Sequence, residues 1–447
     1  MKTKLNIMML FAILTFGKAT AQVDHHIVLV TIDGLIPEFY SEEKWPAPNL
    51  KELVKNGVSS DGVRGVFPSV TYPSHTTIIT GAFPENHGIY YNTYFDPENV
   101  KTGWVSQFEE IQAQTLWESV KKAGGSTAAI EWPVTIGKPE CIDYNVPEGW
   151  PADRSNDFIT YKKSMTTPAG LLDEMEGKSL GKLESDTYKG MLKDEKSGEI
   201  AAYMIEKYQP NFIAVHLIDT DHSQHVNGRA SDHEVPMALA VADRAIGRMR
   251  EAVKKAGIED KTTFIITGDH GFSTLHTKLC PNTLLMEKGW VTKEGTKGEW
   301  EAYFQTSGAS AFLHMKDPKN KKLAEKILET FESSAYHSKY YRIVKRKELD
   351  DIGADPRAAF AIAPKKGVGM SGTFKGDFVQ KAGGGTHGFF PTDFDGILTG
   401  LIISGAGVPE PRRIEEVNME DIAPTISEIL KINHPSKDGT PIFGVIQ

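Results

Sequence analysis

Three motifs bearing carboxylates or imidazoles, each placed directly after an apolar run, are the residues of this chain best suited to chemistry. Residues 27–32 lead into Asp33, residues 212–218 into Asp219, Asp221 and His225, and residues 263–267 into Asp269 and His270. A further candidate, His387, stands in Gly385-Thr386-His387-Gly388, where the glycines let the backbone bend it toward a site. Mixed carboxylate and imidazole donors are ligands for divalent cations. Zinc suits the set best, with manganese, magnesium or iron less favoured. Two such ions about 4 Å apart stabilise the attacking and the leaving oxygen of an in-line phosphoryl displacement together. The pattern predicts a metallohydrolase.

Taken singly, each motif also has a plainer reading. Asp33 lies in Val30-Thr31-Ile32-Asp33-Gly34, and Asp-Gly commonly ends a strand as an ordinary turn. Asp221 and His225 are four apart and would share one face of a helix, with Asp219 and His222 as rivals beside them. Thr267-Gly268-Asp269-His270-Gly271 is the more specific signal, an adjacent Asp and His bracketed by glycines after a β-branched run. For a nucleophile, the stretch FPSVTYPSH at residues 67–75 opens a helical segment ending near Gly81. Thr71 is expected at its N-cap, with Pro73 in the first turn, where proline costs least. A hydroxyl there faces unpaired N–H groups and the positive end of the helix, a natural seat for a phosphate. Thr is also simply a good cap. Ser69 and Ser74 compete by residue type, and His75 could be a ligand or a packed helix residue.

Such residues need a scaffold that gathers them. Strand-like runs alternate with helical patterns at residues 47–56, 115–123, 198–208 and 235–256. This predicts an α/β fold with a mainly parallel central sheet and helices on both faces. The carboxyl ends of parallel strands form one rim, where ligands bind, and all three acidic motifs would fall on it. Residues 397–403 read as another buried strand, and 419–430 as a helix capped by Asn418. Residues 22–274 and 383–447 then form two pieces of one catalytic core. Between them, residues 275–382 are richer in Lys, aromatics and short strand signals, and are expected to form a smaller inserted α+β subdomain.

Composition narrows the function classes. A hydrophobic fraction of 40% and a charged fraction of 24% are ordinary for a globular protein with a sizeable core. A net charge of −9 with no basic run argues against a nucleic-acid surface. Cys141 and Cys280 could pair or stay free, and two thiols make no disulfide scaffold. Lys2 and Lys4, an apolar stretch at 5–16 and Ala19-Thr20-Ala21 before Gln22 read as a signal peptide of residues 1–21. No later segment approaches the roughly 18 uninterrupted apolar residues of a membrane span. The mature chain is expected to be exported, periplasmic or secreted, without a transmembrane segment.

As a set, these motifs resemble the alkaline phosphatase superfamily, and most closely its nucleotide pyrophosphatase/phosphodiesterase family. The matching stretches are VTIDG at 30–34, FPSVTYPSHTTIITGAFPENHGIYYN at 67–92, DTDHSQH at 219–225, TGDHGF at 267–272 and GTHGF at 385–389. The resemblance implies an alkaline-phosphatase-like fold and Thr71 as nucleophile. It also implies two zinc ions, one held by Asp33, Thr71, Asp269 and His270, the other by Asp221, His225 and His387. Asn92 would donate a hydrogen bond to a phosphoryl oxygen, while Tyr72, Trp132 and Trp150 would contact the substrate. The chain departs from the family at Val134-Thr135-Ile136, where Gly-Ser-Asp is common, and at Leu217-Ile218-Asp219, where many members carry Leu-Glu-Glu. The implied activity is hydrolysis of a small phosphodiester or nucleotide-like pyrophosphate through a phosphothreonine intermediate. Monoester and phosphonate hydrolysis stay open as alternatives, although the nearest arginine to Thr71 is Arg64. A catalytically silent, metal-containing binding protein would be a different class, and the presence of all seven ligand and nucleophile positions argues against it.

Overall fold

The computed structural model describes residues 23–446, apart from 99, 138, 152–156 and 293–299. The expected signal peptide at 1–21 lies outside the described residues. Runs too apolar to face water on either side form the middle of an eight-stranded sheet. Its strands lie in the order Arg412–Ile414, Gly57–Ser60, Leu401–Gly405, Thr262–Thr267, His26–Ile32, Phe212–Leu217, Thr127–Ile130 and Tyr144–Val146. All neighbours pair in parallel except at Leu401–Gly405, which is antiparallel to both of its partners. The fold is α/β with a mainly parallel sheet.

Alternation along each strand divides its side chains between two cores. Val28, Val30 and Ile32 face the helices Met191–Tyr208 and Val235–Ala256, together with Ile213, Val215 and Leu217. Ile27 and Leu29 face the opposite layer, built by Thr71–Thr80, Leu116–Lys122 and Ile422–Ile429. Each of these side chains stabilises the fold by about 1.5–3 kcal/mol through burial. The helices start and stop for local reasons. Thr115 and Glu118 form a reciprocal capping box, and Gly257 at φ +69 ends the Val235–Ala256 helix. Among the described residues no helix is long and apolar enough to cross a membrane.

Strand register is what matters for the site. Thr31 pairs with Thr267 and Ile32 with Leu217, so the three middle strands end flush. Asp33, Asp219 and Asp269, each within two residues of those ends, therefore leave the sheet on one rim. The chain departs from the core at Ser273–Thr274 and returns at Gly385–Thr386, and these two segments pair antiparallel as a neck. Beyond it stands a four-stranded antiparallel sheet in the order Ala302–Ser307, Ser310–Met315, Phe360–Pro364 and Tyr341–Lys345. The helix Lys321–Glu332 buries Ile327 and Phe331 in the same hydrophobic cluster as Phe304 and Phe360 of this sheet.

Several boundaries differ from the sequence reading. The helix expected from 198 begins at Met191, because its first turns carry polar residues over a narrow apolar stripe. The strand expected at 397–403 is Leu401–Gly405. Residues before it cross the rim instead, where Ile397 presses on Gly271 and Thr399 Oγ1 donates to the Leu35 carbonyl at 2.6 Å. The last helix splits into a 3₁₀ turn, Met419–Asp421, and the helix Ile422–Ile429. Asn418 takes the extended cap position before the 3₁₀ turn, as expected, but its side chain makes no cap bond to the backbone; its amide donates to Asp421 Oδ2 at 3.3 Å.

The neck leaves no room for a side chain at Gly384, which has φ +73 and whose added Cβ would lie 2.1 Å from the His225 carbonyl oxygen. Gly384→Ala is expected to destabilise the protein by about 1–3 kcal/mol, read as a lower urea midpoint with unchanged slope. An unchanged midpoint would show that the neck relaxes freely.

Candidate active site

On the rim, two groups of acidic and imidazole donors share one residue. Asp33, Asp269 and His270 each offer an atom within 4.8 Å of the others, and so do Asp221, His270 and His387. His270 Nε2 is 3.2 Å from both Asp33 Oδ1 and Asp269 Oδ2, aligned as a hydrogen bond to neither. Asp221 Oδ1 lies 3.3 Å from His225 Nε2 and 3.6 Å from His387 Nε2. The result is a knot of buried polar atoms without hydrogen-bond partners: Asp33 Oδ1, Asp221 Oδ1, Asp269 Oδ2 and both nitrogens of His270. Leaving such groups unpaired costs about 1–3 kcal/mol each, more when charged. Cations placed among them would satisfy all of the carboxylates, so the donor set fits divalent metal ions.

The surrounding structure orients these donors as ligands. Nδ1 of His225 donates to the Gly385 carbonyl at 2.9 Å, and Nδ1 of His387 to the Ser69 carbonyl at 3.3 Å. A carbonyl only accepts, so each Nε2 keeps its lone pair for a cation. The imidazoles of His270 and His387 stack at 3.5 Å with planes 3° apart. Asp269 Oδ1 accepts from the backbone N–H groups of Gly34 and His270, both at 3.1 Å, which leaves Oδ2 facing the knot. Asp221 and His225 sit one turn apart on the helix Asp219–Asn227. That helix is capped from outside by Asp194, whose carboxylate accepts from the N–H groups of Ile218 and Asp219.

Sequence reasoning missed Asp194 and, more importantly, His216. Its Nδ1 donates to the Glu131 carbonyl and its Nε2 to Asp33 Oδ2, both at 3.1 Å. With both nitrogens donating, the ring is an imidazolium behind Asp33. Burial opposes that charge, but the Asp33 contact raises His216 to about 9. The one sequence signal was a histidine inside an otherwise apolar buried strand, FIAVHL. His75, a possible ligand by sequence, is fully buried and plays another part. Its Nδ1 donates to the Thr71 carbonyl and its Nε2 accepts from the Thr31 hydroxyl, each at 2.8 Å. Burial, then the neighbouring His216 charge, holds it neutral.

These contacts bring the start of the Thr71–Thr80 helix to the knot. Ser69 is tied to His387, and Thr71 through His75 to Asp269, 3.7 Å from His75 Nδ1. Thr71 is not the N-cap expected from sequence. Val70 has the extended cap geometry, and Thr71 is the first helical residue, 8% exposed. Its hydroxyl has no hydrogen-bond partner among the described residues. The rival hydroxyls are placed differently: that of Ser69 donates to the Phe389 carbonyl at 3.1 Å, and Ser74 is wholly buried. Asn92 Oδ1 accepts from the Tyr72 N–H at 2.8 Å, leaving the Asn92 amide N–H groups to donate beside Thr71. Of the rival acids and bases, Asp219 is buried and His222 exposed, both beside a separate pocket with Lys193 and Trp150.

The three aromatic residues carried over as substrate contacts do not share one fate. Trp150 is 45% exposed on a cavity of about 740 Å³, lined also by Trp104, Ile136, Phe158 and Tyr161. Tyr72 reaches that cavity only at its edge, being 1% exposed beneath Trp104, with ring centroids 5.1 Å apart. Trp104 in turn meets Trp150 at 5.5 Å. Trp132 is a correction: it has no exposed surface and packs edge-on to His75 and Trp117 in the core. Nearby, Glu131 and Val134 hold φ +51 and +57, strained values for side-chain-bearing residues.

Charge crowding sets how the site takes up metal. Burial and the Asp33 charge push Asp269 up to about 8, while Asp269 and Asp33, against burial, raise His270 to about 9. Below those values the empty site holds protons that a cation must displace. Metal binding is therefore expected to release protons at pH 7, and its apparent affinity to rise from pH 6 to 9. Calorimetric titration in buffers of different ionisation enthalpy measures this; proton uptake would contradict it.

Comparison with known proteins bears on the same residues. Residues 27–390 match the family described as type I phosphodiesterase / nucleotide pyrophosphatase. Similar curated proteins include a bis(5'-adenosyl)-triphosphatase of Xenopus laevis, 23% identical over 251 residues, covering 55% of this chain and 47% of that protein. Another is ectonucleotide pyrophosphatase/phosphodiesterase family member 3 of Rattus norvegicus, 24% identical over 250 residues, with 55% and 24% covered. The chain thus matches over about half its own length and spans half or less of these relatives. Among solved structures, human ectonucleotide pyrophosphatase / phosphodiesterase 5 superposes with a TM-score of 0.65 at 18% identity, covering 94% of this chain and 98% of that one. An inactive murine form in complex with AMP gives 0.64 at 18% identity, with 92% and 96% covered. These likenesses show the shared fold.

Proposed function

The chain belongs to the type I phosphodiesterase / nucleotide pyrophosphatase family, and on that premise we propose that it hydrolyses phosphodiester or pyrophosphate bonds of a small, nucleotide-like substrate, with Thr71 as the nucleophile. The observation that carries this reading is the pairing of a free hydroxyl with the knot of unsatisfied donors. Of the three candidate hydroxyls, only that of Thr71 is neither committed nor wholly buried, and the turn before its helix accepts a hydrogen bond from His387 at the Ser69 carbonyl.

In this proposal Asp33, Asp269 and His270, with Thr71, hold one zinc ion, and Asp221, His225 and His387 hold a second. When bound, the two ions supply Lewis acidity at the attacking and the leaving oxygen. The residues of the chain do the rest. Thr71 Oγ1 gives up its proton and forms a bond to phosphorus as the bond to the leaving oxygen breaks, releasing an alcohol or a phosphate. Water then cleaves the phosphothreonine and restores the hydroxyl. The Asn92 amide donates to a non-bridging oxygen, and the positive end of the Thr71–Thr80 helix favours the same negative charge. His75 and His387 hold the Thr71 turn in place from behind. The aromatic cavity at Trp104 and Trp150 receives the organic group. The basic, apolar and small-residue pattern of residues 1–21 supports export of the mature chain.

Thr71→Ala is expected to keep its metal content while kcat on bis(p-nitrophenyl) phosphate falls by about a thousandfold or more. Elemental analysis with steady-state kinetics checks both halves, and near-wild-type turnover would remove Thr71 from the mechanism. The p-nitrophenyl ester of thymidine 5'-monophosphate is expected to be cleaved at least about tenfold faster than p-nitrophenyl phosphate, a gap of ~1.4 kcal/mol. The reverse preference would make this a monoesterase.

A further inference from the structure

The segment that carries Asn92 is gripped on both sides of that residue by the inserted subdomain. Tyr91 is buried with Phe67 and Phe390 of the core and Phe312 of the insert in one cluster. Its hydroxyl lies 3.1 Å from Nε2 of His314, on the insert strand Ser310–Met315. Phe95 stacks on the same imidazole at 4.0 Å with planes 21° apart. Between these two grips, Gln305 donates to Thr93 Oγ1 at 3.3 Å, and just beyond them the Trp300 indole donates to Glu98 at 2.7 Å. His314 is itself fixed: it is 3% exposed, and its Nε2 stands 3.8 Å from Asp355 Oδ2. Arg357 clamps that carboxylate with two hydrogen bonds of 2.8 Å and lays its guanidinium over Tyr90 at 4.5 Å. Tyr90, Tyr91 and Phe95, on either side of Asn92, thus rest on one array of insert residues.

We infer that His314 is a positioning residue: through Tyr91 it lets the inserted subdomain set the Asn92 amide at the start of the Thr71 helix. This rests on the role given to Asn92 above. The link is short. Asn92 follows Tyr91 directly, its Oδ1 accepts from the Tyr72 N–H, and its carbonyl accepts from the Val105 N–H at 3.0 Å. Catalytic donors tolerate little displacement, since a shift of about 1 Å can cost about a hundredfold in rate. An insert that tilted would pull Tyr91 and Phe95 against the core bonds of Asn92, while leaving every metal ligand on the rim of the core sheet or at the neck.

The test uses the full, metal-loaded chain and bis(p-nitrophenyl) phosphate. His314→Leu is expected to lower kcat about tenfold with KM within about twofold, and His314→Gln, which can still bond the Tyr91 hydroxyl, to recover most of it. In an Asn92→Ala background the same His314→Leu change is expected to cost less than about twofold, because the two act through one amide. Tyr91→Phe removes only the hydroxyl and repeats the comparison if His314→Leu does not fold. Equal losses in both backgrounds, or no loss in either, would overturn the inference and leave the proposed function standing. Full activity in Asn92→Ala alone would instead strike the role of Asn92, and this inference with it.

Discussion

Buried Asp33 and Asp269 and half-buried Asp221 share one rim with His225, His270 and His387, and that crowding is the constraint on which the rest of the structure depends. Asp33, Asp221 and Asp269 repel one another, and burial raises the cost of every charge among them. Protein partners relieve only part of this. The His216 imidazolium and His270 keep Asp33 well below the usual carboxylate range despite its burial, whereas Asp269 is pushed up to about 8. The fold supports a concentration of buried charge that suits cation binding. Its cost is carried by a sheet whose apolar residues fill two separate cores.

The backbone is adapted to this crowding at a few positions. Gly34 takes φ +70 directly after Asp33, and a Cβ there would meet Gln224 at 2.8 Å. This close approach locks the first acidic turn against the helix that bears Asp221 and His225. Gly271 plays the same part after His270, against Ile397. The glycines flanking the acidic motifs are thus needed for packing, beyond any flexibility they confer.

A second group of buried charges lies behind the site. Glu131, wholly buried with φ +51, is held by Lys162 at 2.6 Å and Lys193 at 2.8 Å and accepts from the Tyr188 hydroxyl at 2.7 Å. Burial works against its charge, but the two lysines keep it at about 2, while burial lowers Lys162 to about 8. Because the Glu131 carbonyl receives the His216 proton, this ion cluster fixes the strained turn that backs Asp33. Val134 is buried at the end of this turn, while Ile136, two residues on, lines the aromatic cavity with Trp104 and Trp150.

The division between sequence and tertiary structure follows from the range of the forces involved. Period-two and period-3.6 hydrophobicity is a local property, so the strands that end at Asp33 and Asp269 and the Val235–Ala256 helix could be read from the chain within a residue or two. Ligand-type residues were legible because their chemistry is their identity. Helix starts were less so: Val70 rather than Thr71 takes the cap position of its helix, and Asn418 takes one without a side-chain bond to the backbone, because caps depend on where neighbouring groups lie. The partners of His216, the burial of Trp132 and Tyr72, and the different surroundings of Ser69, Thr71 and Ser74 were decided only by packing across strands far apart in the chain. So was the contact of the Tyr91 hydroxyl with His314, 223 positions away. A single sequence records what each residue can do; which groups it meets depends on contacts whose separation along the chain leaves no local pattern to read.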